Sequence, residues 1–250
     1  PLTVRVNRLK TDADALARRL KKEGFFASVK LSGAALELSG SGVLTSAAEK
    51  EGLFSVQDLS SMMMIEALAP QKGDTVIDVC AAPGGKSLAA AERMENYGRI
   101  ISCDIYDHKL ELIQRAADRL GITILETRKN DGTIFRSEFE QIADRVIVDA
   151  PCSGLGVVRR KPEIKLRTTE KDIEDLAEIQ LQILDISSRY LKPEGRLVYS
   201  TCTISDIENR GVVDRFLYKN KNFFVIEERQ LLPHIDSSDG FYFCTLQRFQ

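Results

Sequence analysis

The chain has 250 residues, of which 43% are hydrophobic and 29% are charged, and its formal net charge is −2 at pH 7. This composition predicts a globular protein with one large domain or a domain with a smaller lobe, and no apolar run approaches the roughly 20 residues that cross a bilayer. Nothing at the N-terminus has the three-part pattern of a signal peptide, but we expect a chain that begins at Pro1 to be a fragment of a longer one. The spread, unpaired cysteines fit a reducing compartment, so we expect a cytoplasmic protein.

The first 52 residues predict a small α/β lobe. Its strands are predicted over residues 4–7, 25–30 and 35–38. A helix is predicted from Thr11 to about Glu23, because Thr11 and Asp14 can form a capping box and Gly24 can end the helix. The segment Ser-Gly-Ser-Gly at 39–42 predicts a loop near the lobe boundary.

From residue 53 the pattern changes to alternating strands and helices. The predicted strands are 75–79, 99–103, 123–127, 145–150, 196–200, 222–228 and 240–249. The predicted helices are 86–94, 107–120, 170–191 and 205–219, the last opened by the capping pair Ser205 and Glu208. Short apolar strands between helices indicate parallel strands covered on both faces. We therefore predict an α/β fold with a doubly wound, mostly parallel seven-stranded sheet, which binds ligands beyond the carboxyl ends of its strands.

The first core strand runs into CAAPGGKS, residues 80–87. Small residues and two glycines let the backbone approach a ligand closely, and the helix that follows points its free N–H groups and positive dipole end at that ligand. We expect an anionic group to bind there. The segment is also close to the phosphate loop G-x-x-x-x-G-K-[ST], but Cys80 replaces the first glycine, which leaves an NTPase as a weaker alternative.

Two aspartates follow the next two strands. Asp104 lies about 20 residues beyond the glycines, where an acidic residue can hold the hydroxyls of a ribose. Asp131 follows the third core strand and could meet an adenine amino group. A ribose, an adenine and a small carboxylate together describe S-adenosylmethionine. Either aspartate alone could instead cap a helix.

The five cysteines are odd in number and contain no C-x-x-C pair, so they predict neither a disulfide framework nor a zinc site. With only two histidines in the chain, we expect no metal, and catalysis must use thiols, carboxylates and lysines. The fourth core strand ends in DAPCSG at 149–154 and the fifth in STCT at 200–203. Because both ends project over one crevice, we expect Cys152 and Cys202 to approach each other.

Two thiols beside an aspartate suit methylation of a pyrimidine at carbon 5. That carbon becomes nucleophilic only after a thiolate adds to carbon 6. A thiol with an ordinary pKa near 8.5 is only about a few per cent ionised at neutral pH, so a cation must lower that pKa. Lys86 and the basic segment after Cys152 are the available cations. Asp149 is placed to bond N3 and the exocyclic amine of a cytosine.

Three motifs together carry a family resemblance. They are DVCAAPGGKS at 78–87, DAPCSG at 149–154 followed by VVRRKPEIK, and YSTCT at 199–203 followed by Glu208-Asn209. The combination resembles the NOL1/NOP2/Sun family of RNA cytosine-5 methyltransferases, most closely its bacterial RsmB type, over essentially the whole chain. The resemblance implies a Rossmann-like class I methyltransferase domain over 53–250, S-adenosylmethionine as cofactor and a cytosine of small-subunit (16S) ribosomal RNA as target.

The resemblance also implies residue roles. Cys202 would attack the base, Cys152 would help to release the product, and Asp149 would be catalytic together with Lys86. The motifs alone leave the nucleophile open, because DNA cytosine methyltransferases attack from the Pro-Cys position. The implied cofactor-binding residues are Cys80, Ala81, Ala82, Pro83, Gly84, Gly85, Lys86, Asp104, Asp131 and Asp149.

Two basic segments predict contact with RNA. Residues 1–30 carry a net charge of +5 and residues 157–167 a net charge of +4. The second segment follows directly from the DAPCSG loop, so we expect it to line an RNA channel, while the lobe grips the flanking backbone. The candidate RNA-binding residues are Arg5, Arg8, Arg159, Arg160 and Lys161. The RsmB type further implies a NusB-like helical RNA-binding domain ahead of this region, which these 250 residues lack; we expect a monomer without membrane partners.

Three alternatives stay open beside an S-adenosylmethionine-dependent RNA cytosine-5 methyltransferase. A DNA enzyme of the same chemistry would use Cys152 as its nucleophile. An NTPase would depend on Lys86. A ribosome assembly factor would bind RNA and retain the pocket without catalysis. In either nucleic-acid enzyme the target base must be single-stranded or flipped out of its stack, since carbon 6 cannot be reached inside it.

Overall fold

The structure is a computed structural model that describes residues 2–40, 42–236 and 238–249. The strands are β1 Leu2–Val6, β2 Phe26–Lys30, β3 Ala35–Ser39, β4 Phe54–Val56, β5 Thr75–Asp78, β6 Arg99–Asp104, β7 Leu125–Lys129, β8 Ala143–Asp149, β9 Leu191–Thr201, β10 Phe223–Leu231 and β11 Phe241–Arg248. The helices are α1 Ala13–Lys22, α2 Ala47–Lys50, α3 Leu59–Leu68, α4 Gly85–Arg93, α5 Asp107–Leu120, α6 Ile164–Arg167, α7 Glu170–Ser188, α8 Arg210–Lys219 and α9 Pro233–Asp236. Within the described ranges, no helix combines the length and the apolar composition that a membrane span needs.

The large sheet confirms the predicted fold class. Its strand order is β10-β11-β9-β8-β5-β6-β7, in which the five strands from β9 to β7 are parallel and β11 is antiparallel to both of its neighbours. Alternate side chains of these strands enter two apolar cores, with α3, α4 and α5 on one face and α7 and α8 on the other. The carboxyl ends of the five parallel strands therefore meet at one edge of the sheet.

The small sheet is antiparallel, with strand order β2-β3-β1-β4. It includes β4, which lies beyond residue 52, so the sheet of the lobe extends to Val56. Helix α1 buries Leu16 and Leu20 completely against this sheet. Gly24, with a φ of +88°, follows the end of that helix as predicted. Of the predicted loop at 39–42, Ser41 lies outside the described residues.

Two predicted helix caps are wrong. At α1 the carboxylate of Asp12, not the hydroxyl of Thr11, accepts a hydrogen bond from the N–H of Ala15 at 2.8 Å. Helix α8 begins at Arg210 rather than at Ser205, and its N-cap residue Asn209 makes no side-chain cap. The reason is that the side chain of Glu208 is completely buried and bonds to another loop instead of to its own helix.

The lobe is joined to the large sheet by a buried ion pair. The guanidinium of Arg5 binds both carboxylate oxygens of Glu92 on α4, at 2.9 and 2.8 Å, and also donates to the carbonyl oxygen of Gly85 at 2.9 Å. The side chains of Arg5 and Glu92 are only 7% and 4% exposed. This corrects the expectation that Arg5 contacts RNA, because its charge is already paired and enclosed.

We predict that the ion pair between Arg5 and Glu92 couples the lobe to the sheet energetically. Arg5→Met leaves a buried carboxylate unpaired, so it should lower the free energy of unfolding by about 3 kcal/mol in urea titrations. The double variant with Glu92→Met should lose less than the sum of the two single losses. The exposed pair between Arg19 and Glu23 is the control, for which Arg19→Met should have a much smaller effect. Strictly additive losses at Arg5 and Glu92 would contradict this coupling.

Candidate active site

The predicted cofactor and catalytic residues lie at the same edge of the large sheet. Cys80 follows β5 by two residues, Asp104 ends β6, and Asp131 follows β7 by two residues. Asp149 ends β8 and Cys202 directly follows β9. Because these five strands are parallel neighbours, their loops line one crevice beyond the sheet.

The Gly-rich loop between β5 and α4 presents backbone to this crevice. The N–H of Ala81 donates to the carbonyl oxygen of Cys103 at 2.8 Å, which ties the loop to the end of β6. Gly84 has a φ of +103°, and a Cβ atom at this position would lie 3.1 Å from Ile113. No side chain caps α4, whose N-cap residue is Gly84. The first N–H groups of α4 are therefore available to an anionic group.

Asp104 and Asp131 each bond to their own loop through one oxygen. Oδ1 of Asp104 accepts from the N–H of Tyr106 at 3.0 Å. Oδ1 of Asp131 accepts from the N–H and the hydroxyl of Thr133 at 2.9 and 2.7 Å, and these hydrogen bonds lower the pKa of Asp131. Each aspartate thus keeps a second carboxylate oxygen that can accept from a hydroxyl or an amino group.

A buried acid that the sequence analysis did not single out lies beneath the Gly-rich loop. Asp78 is completely buried at the end of β5, and its Oδ2 accepts from the hydroxyl of Ser87 at 2.6 Å. Ser102 donates in turn to Ser87 at 2.8 Å. Among the described residues, Oδ1 of Asp78 has no hydrogen-bond partner. Burial raises the pKa of Asp78 to about 7, despite the hydrogen bond from Ser87.

Lys86 and Asp149 form an ion pair inside the crevice. Nζ of Lys86 lies 2.6 Å from Oδ2 of Asp149, and the hydroxyl of Ser200 donates to Oδ1 at 2.8 Å. Burial alone would lower the pKa of Lys86, but the charge and hydrogen bond of Asp149 outweigh burial and raise that pKa. Lys86 therefore carries a positive charge next to the thiols.

The two loop cysteines are in direct contact. The Sγ atoms of Cys152 and Cys202 are 3.2 Å apart, and the N–H of Cys202 points to Sγ of Cys152 at 3.3 Å. Both residues are partly exposed and neither is in a disulfide. The expected convergence of the two loops is therefore present in the structure.

The two thiols differ in their acidity. The hydrogen bond from the thiol of Cys152 lowers the pKa of Cys202 against the effect of burial, and the charge of Lys86 acts in the same direction. That same hydrogen bond, with burial, raises the pKa of Cys152. Burial also raises the pKa of the remaining thiols, to about 12 for Cys103 and Cys244 and further for Cys80. Cys202 is thus the thiol that ionises most readily.

The candidate RNA-binding arginines after the DAPCSG loop form ion pairs with carboxylates of the chain itself. Arg159 and Arg160 bind the carboxylate of Asp239 at 3.0 and 2.8 Å, and Arg160 also binds Asp58 at 3.1 Å. Their side chains remain 51% and 46% exposed. Lys161 and Arg8 are exposed. Across the described ranges, no cluster of three or more His, Cys, Asp or Glu side chains is arranged to hold a metal ion.

The family comparison covers most of the chain. Residues 65–247 match the family model described as 16S rRNA methyltransferase RsmB/F. A curated relative from Bacillus subtilis (strain 168), named probable ribosomal RNA small subunit methyltransferase B, is 40% identical over 98% of this chain, which spans 59% of that relative's length. These matches confirm the resemblance carried by the three motifs.

Two solved structures share the fold of this chain. The crystal structure of PH0851 superposes with a TM-score of 0.95 at 30% identity, covering 99% of this chain and 59% of that chain. A structure of NSun6 from Pyrococcus horikoshii with SFG gives a TM-score of 0.90 at 22% identity, covering 100% of this chain and 91% of that chain. At this lower identity the second likeness shows the fold alone.

The raised pKa of Asp78 predicts that acidic pH stabilises the fold. Between an unfolded pKa near 3.9 and a folded pKa of about 7, the folded state holds a proton that the unfolded state has released, so the free energy of unfolding falls as pH rises through this window. Asp78→Asn should flatten this dependence and make the chain more stable than the wild type at pH 8, by about 2 kcal/mol in urea titrations.

Asp144→Asn is the control for Asp78→Asn and should behave in the opposite way. Burial acts to raise the pKa of Asp144, but hydrogen bonds from Lys192 and the N–H of Thr75 outweigh burial and lower that pKa. The charge of Asp144 therefore stabilises the fold above acidic pH. This variant should be less stable than the wild type at pH 8. A wild-type pH profile in Asp78→Asn would refute the account of Asp78.

Lys86 is predicted to support the thiolate of Cys202. Lys86→Met removes the nearby cation and leaves the charge of Asp149 unopposed, and both changes raise the pKa of Cys202. Alkylation of Cys202 by iodoacetamide at pH 7, followed by peptide mass spectrometry, should slow by about fivefold. Lys72→Met, which breaks an exposed pair with Glu95, is the matched control and should leave the rate unchanged. An unaltered rate in Lys86→Met would rule out this role.

Proposed function

Because this chain belongs to the RsmB/F family of 16S rRNA methyltransferases, we propose that it methylates carbon 5 of a cytosine in small-subunit ribosomal RNA, using S-adenosylmethionine. The observation that carries the proposal is the pair of thiols 3.2 Å apart at the carboxyl edge of the sheet. Methylation at an exocyclic amine or a ribose hydroxyl has no use for two such thiols. Carbon 5 of a pyrimidine requires a thiol nucleophile.

In the proposed reaction the thiolate of Cys202 forms a bond to carbon 6 of the cytosine. Asp149, held by Lys86 and Ser200, bonds N3 and the exocyclic amine and stabilises the charge that moves onto the ring. S-adenosylmethionine supplies the methyl group that bonds to carbon 5. Transfer of the proton from carbon 5 to water then re-forms the double bond between carbons 5 and 6, breaks the bond between sulfur and carbon 6, and returns Cys202 as a thiolate.

The assignment of Cys202 as nucleophile is supported by its lowered pKa, while the pKa of Cys152 is raised. A protonated Cys152 next to the reacting sulfur can donate a hydrogen bond to it and so stabilise Cys202 as the leaving thiolate when the bond to carbon 6 breaks. We therefore propose that Cys152 acts in the release step. The order is the reverse of the DNA-type alternative, in which the Pro-Cys residue would attack.

The proposed cofactor site uses groups that the fold leaves available. The N–H groups that open α4 suit the carboxylate of the methionine part. The second oxygens of Asp104 and Asp131 suit ribose hydroxyls and an adenine amino group, respectively. The backbone from Cys80 to Lys86 borders the same crevice, so the methyl group would lie near the thiols.

The proposed RNA contacts are Lys161, Arg8 and the exposed parts of Arg159 and Arg160. Asp239 and Asp58 neutralise part of the charge of the two arginines, so RNA phosphates must compete with these carboxylates. Binding should therefore weaken steeply as salt is raised. The chain spans about three fifths of the length of its curated relatives, and the choice of nucleotide is proposed only for the protein as a whole.

The proposed mechanism predicts a covalent complex that depends on Cys202. With S-adenosylmethionine and small-subunit ribosomal RNA containing 5-fluorocytosine, fluorine replaces the proton that must leave carbon 5 after methyl transfer, so the wild-type chain should be trapped as a denaturant-stable adduct. Cys202→Ala should abolish this adduct. Cys152→Ala should accumulate it even on unmodified cytosine RNA, because release is impaired. Both are read as shifted bands on denaturing gels.

Cys244→Ala is the matched control, since Cys244 is buried in β11, and it should trap like the wild type. An adduct that survives Cys202→Ala and vanishes with Cys152→Ala would assign the nucleophile to Cys152. RNA binding without any methyl transfer from labelled S-adenosylmethionine would favour the assembly-factor alternative.

A further inference from the structure

The side chain of Glu208 is buried without exposure to solvent, directly after the loop of Cys202. Its carboxylate accepts three hydrogen bonds: from the N–H of Ser153 at 2.8 Å, from the hydroxyl of Ser153 at 2.5 Å and from Nε2 of Gln180 at 3.0 Å. All three donors are neutral groups. Burying a carboxylate in this way costs stability relative to an apolar side chain, which suggests that the contact serves the site.

Glu208 and Gln180 form hydrogen bonds with the residues that follow and precede Cys152 in the sequence. Ser153, which follows Cys152, is bonded to Glu208 through its backbone and its side chain. Pro151, which precedes Cys152, accepts from Nε2 of Gln180 at 2.9 Å. The chain on each side of the thiol is therefore fixed by one connected pair of side chains.

The same pair is anchored to the strand that carries Cys202. The hydroxyl of Tyr199 on β9 lies 3.1 Å from Oε1 of Gln180 and 2.5 Å from the carbonyl oxygen of Glu208. The hydroxyl of Ser153 also lies 2.9 Å from that of Thr203, the residue after Cys202. These bonds fix the relative position of two loops that are 50 residues apart in sequence.

We propose that Glu208 is a positioning residue that holds the loop of Cys152 against Cys202, so that the two Sγ atoms stay within hydrogen-bonding reach. The inference deepens the proposed function, since it concerns the thiols that this function uses. Without the carboxylate, Ser153 loses its acceptor and the DAPCSG loop can move away from β9. Cys202 then loses the hydrogen bond that favours its thiolate.

The test compares Glu208→Ala with the wild type in the absence of RNA and S-adenosylmethionine. The rate of Cys202 alkylation by iodoacetamide is followed from pH 6 to 10 by peptide mass spectrometry. A rise of about one unit in the apparent pKa of Cys202 should slow alkylation at pH 7 by about tenfold. Disulfide formation between Cys152 and Cys202 with oxidised glutathione should also slow by about tenfold, because the sulfurs are no longer held together.

Glu208→Gln separates position from charge. The amide keeps one oxygen for the N–H of Ser153, and its nitrogen can donate to the hydroxyl of Ser153, so both contacts survive without the charge. This variant should alkylate within about twofold of the wild-type rate. Alkylation as slow as in Glu208→Ala would overturn a positioning role and assign the effect to the charge.

Asp144→Ala is the control for the loss of an acidic anchor, because Asp144 binds Thr75 and Lys192 at the opposite edge of the sheet. It should leave the thiol profile unchanged. If Glu208→Ala does not fold, Gln180→Met decides, since it removes the bonds to Pro151 and Glu208 and should slow alkylation by about threefold.

A folded Glu208→Ala or Gln180→Met with the wild-type thiol profile would overturn the proposal, as would the same change in Asp144→Ala. Methyl transfer by the wild-type chain is measured separately with labelled S-adenosylmethionine. Its absence would count against the proposed function while leaving the thiol result intact.

Discussion

The contact between the sulfurs of Cys152 and Cys202 is the constraint on which the site depends. It requires that two loops from neighbouring parallel strands end at the same height above the sheet, which the register of β8 with β9 provides by pairing Asp149 with Ser200. Gly156 also lies close to these loops, and its N–H donates to the carbonyl oxygen of Cys202. A Cβ atom at Gly156 would lie 1.9 Å from the carbonyl oxygen of Gly240. Only glycine fits where three loops meet this closely.

The site is built from polar groups that the fold alone would not favour. Asp78, Lys86 and Glu208 are all largely buried, and the cost of burying each charge is offset differently. Asp78 has a raised pKa and is partly neutral, and Lys86 is paired with Asp149. Glu208 accepts three hydrogen bonds from neutral donors. A core of apolar residues at these positions would be more stable. The electrostatic result is that the pKa of Cys202 is lowered, while the other four cysteines of the chain stay protonated at neutral pH.

The sequence predicted the features that follow from the pattern of apolar residues along the chain. The apolar strands and their alternation with helices gave the parallel sheet, and the rule for strand ends brought Cys152 and Cys202 together. The sequence did not show which of two adjacent residues caps α1, because the side chains of Thr11 and Asp12 can both accept a hydrogen bond from the helix. In the structure Asp12 is the cap. Arg5 was misjudged for a different reason. A cluster of basic residues does not show that its partner Glu92 lies 87 positions away.

Glu208 shows the same limit most clearly. The spacing of Ser205 and Glu208 is that of a helix cap, and only the three-dimensional structure reveals that its acceptor role is directed at Ser153, 55 residues earlier. Asp78 carried a weak signal, as a charged residue inside an otherwise apolar strand. The sequence offered Lys86 as a cation that could lower the pKa of a thiol, but not which of the two thiols is more acidic, because that depends on distances of a few ångströms between loops.

The most direct measurement of the central claim is a pH titration of the five cysteine resonances by NMR, with the wild-type chain labelled with ¹³C at cysteine Cβ. We expect Cys202 to titrate first, below the ordinary thiol value of about 8.5, and we expect Cys103 and Cys244 not to titrate below pH 10. A spectrum in which Cys152 titrates before Cys202, or in which no cysteine titrates below its ordinary value, would contradict the account.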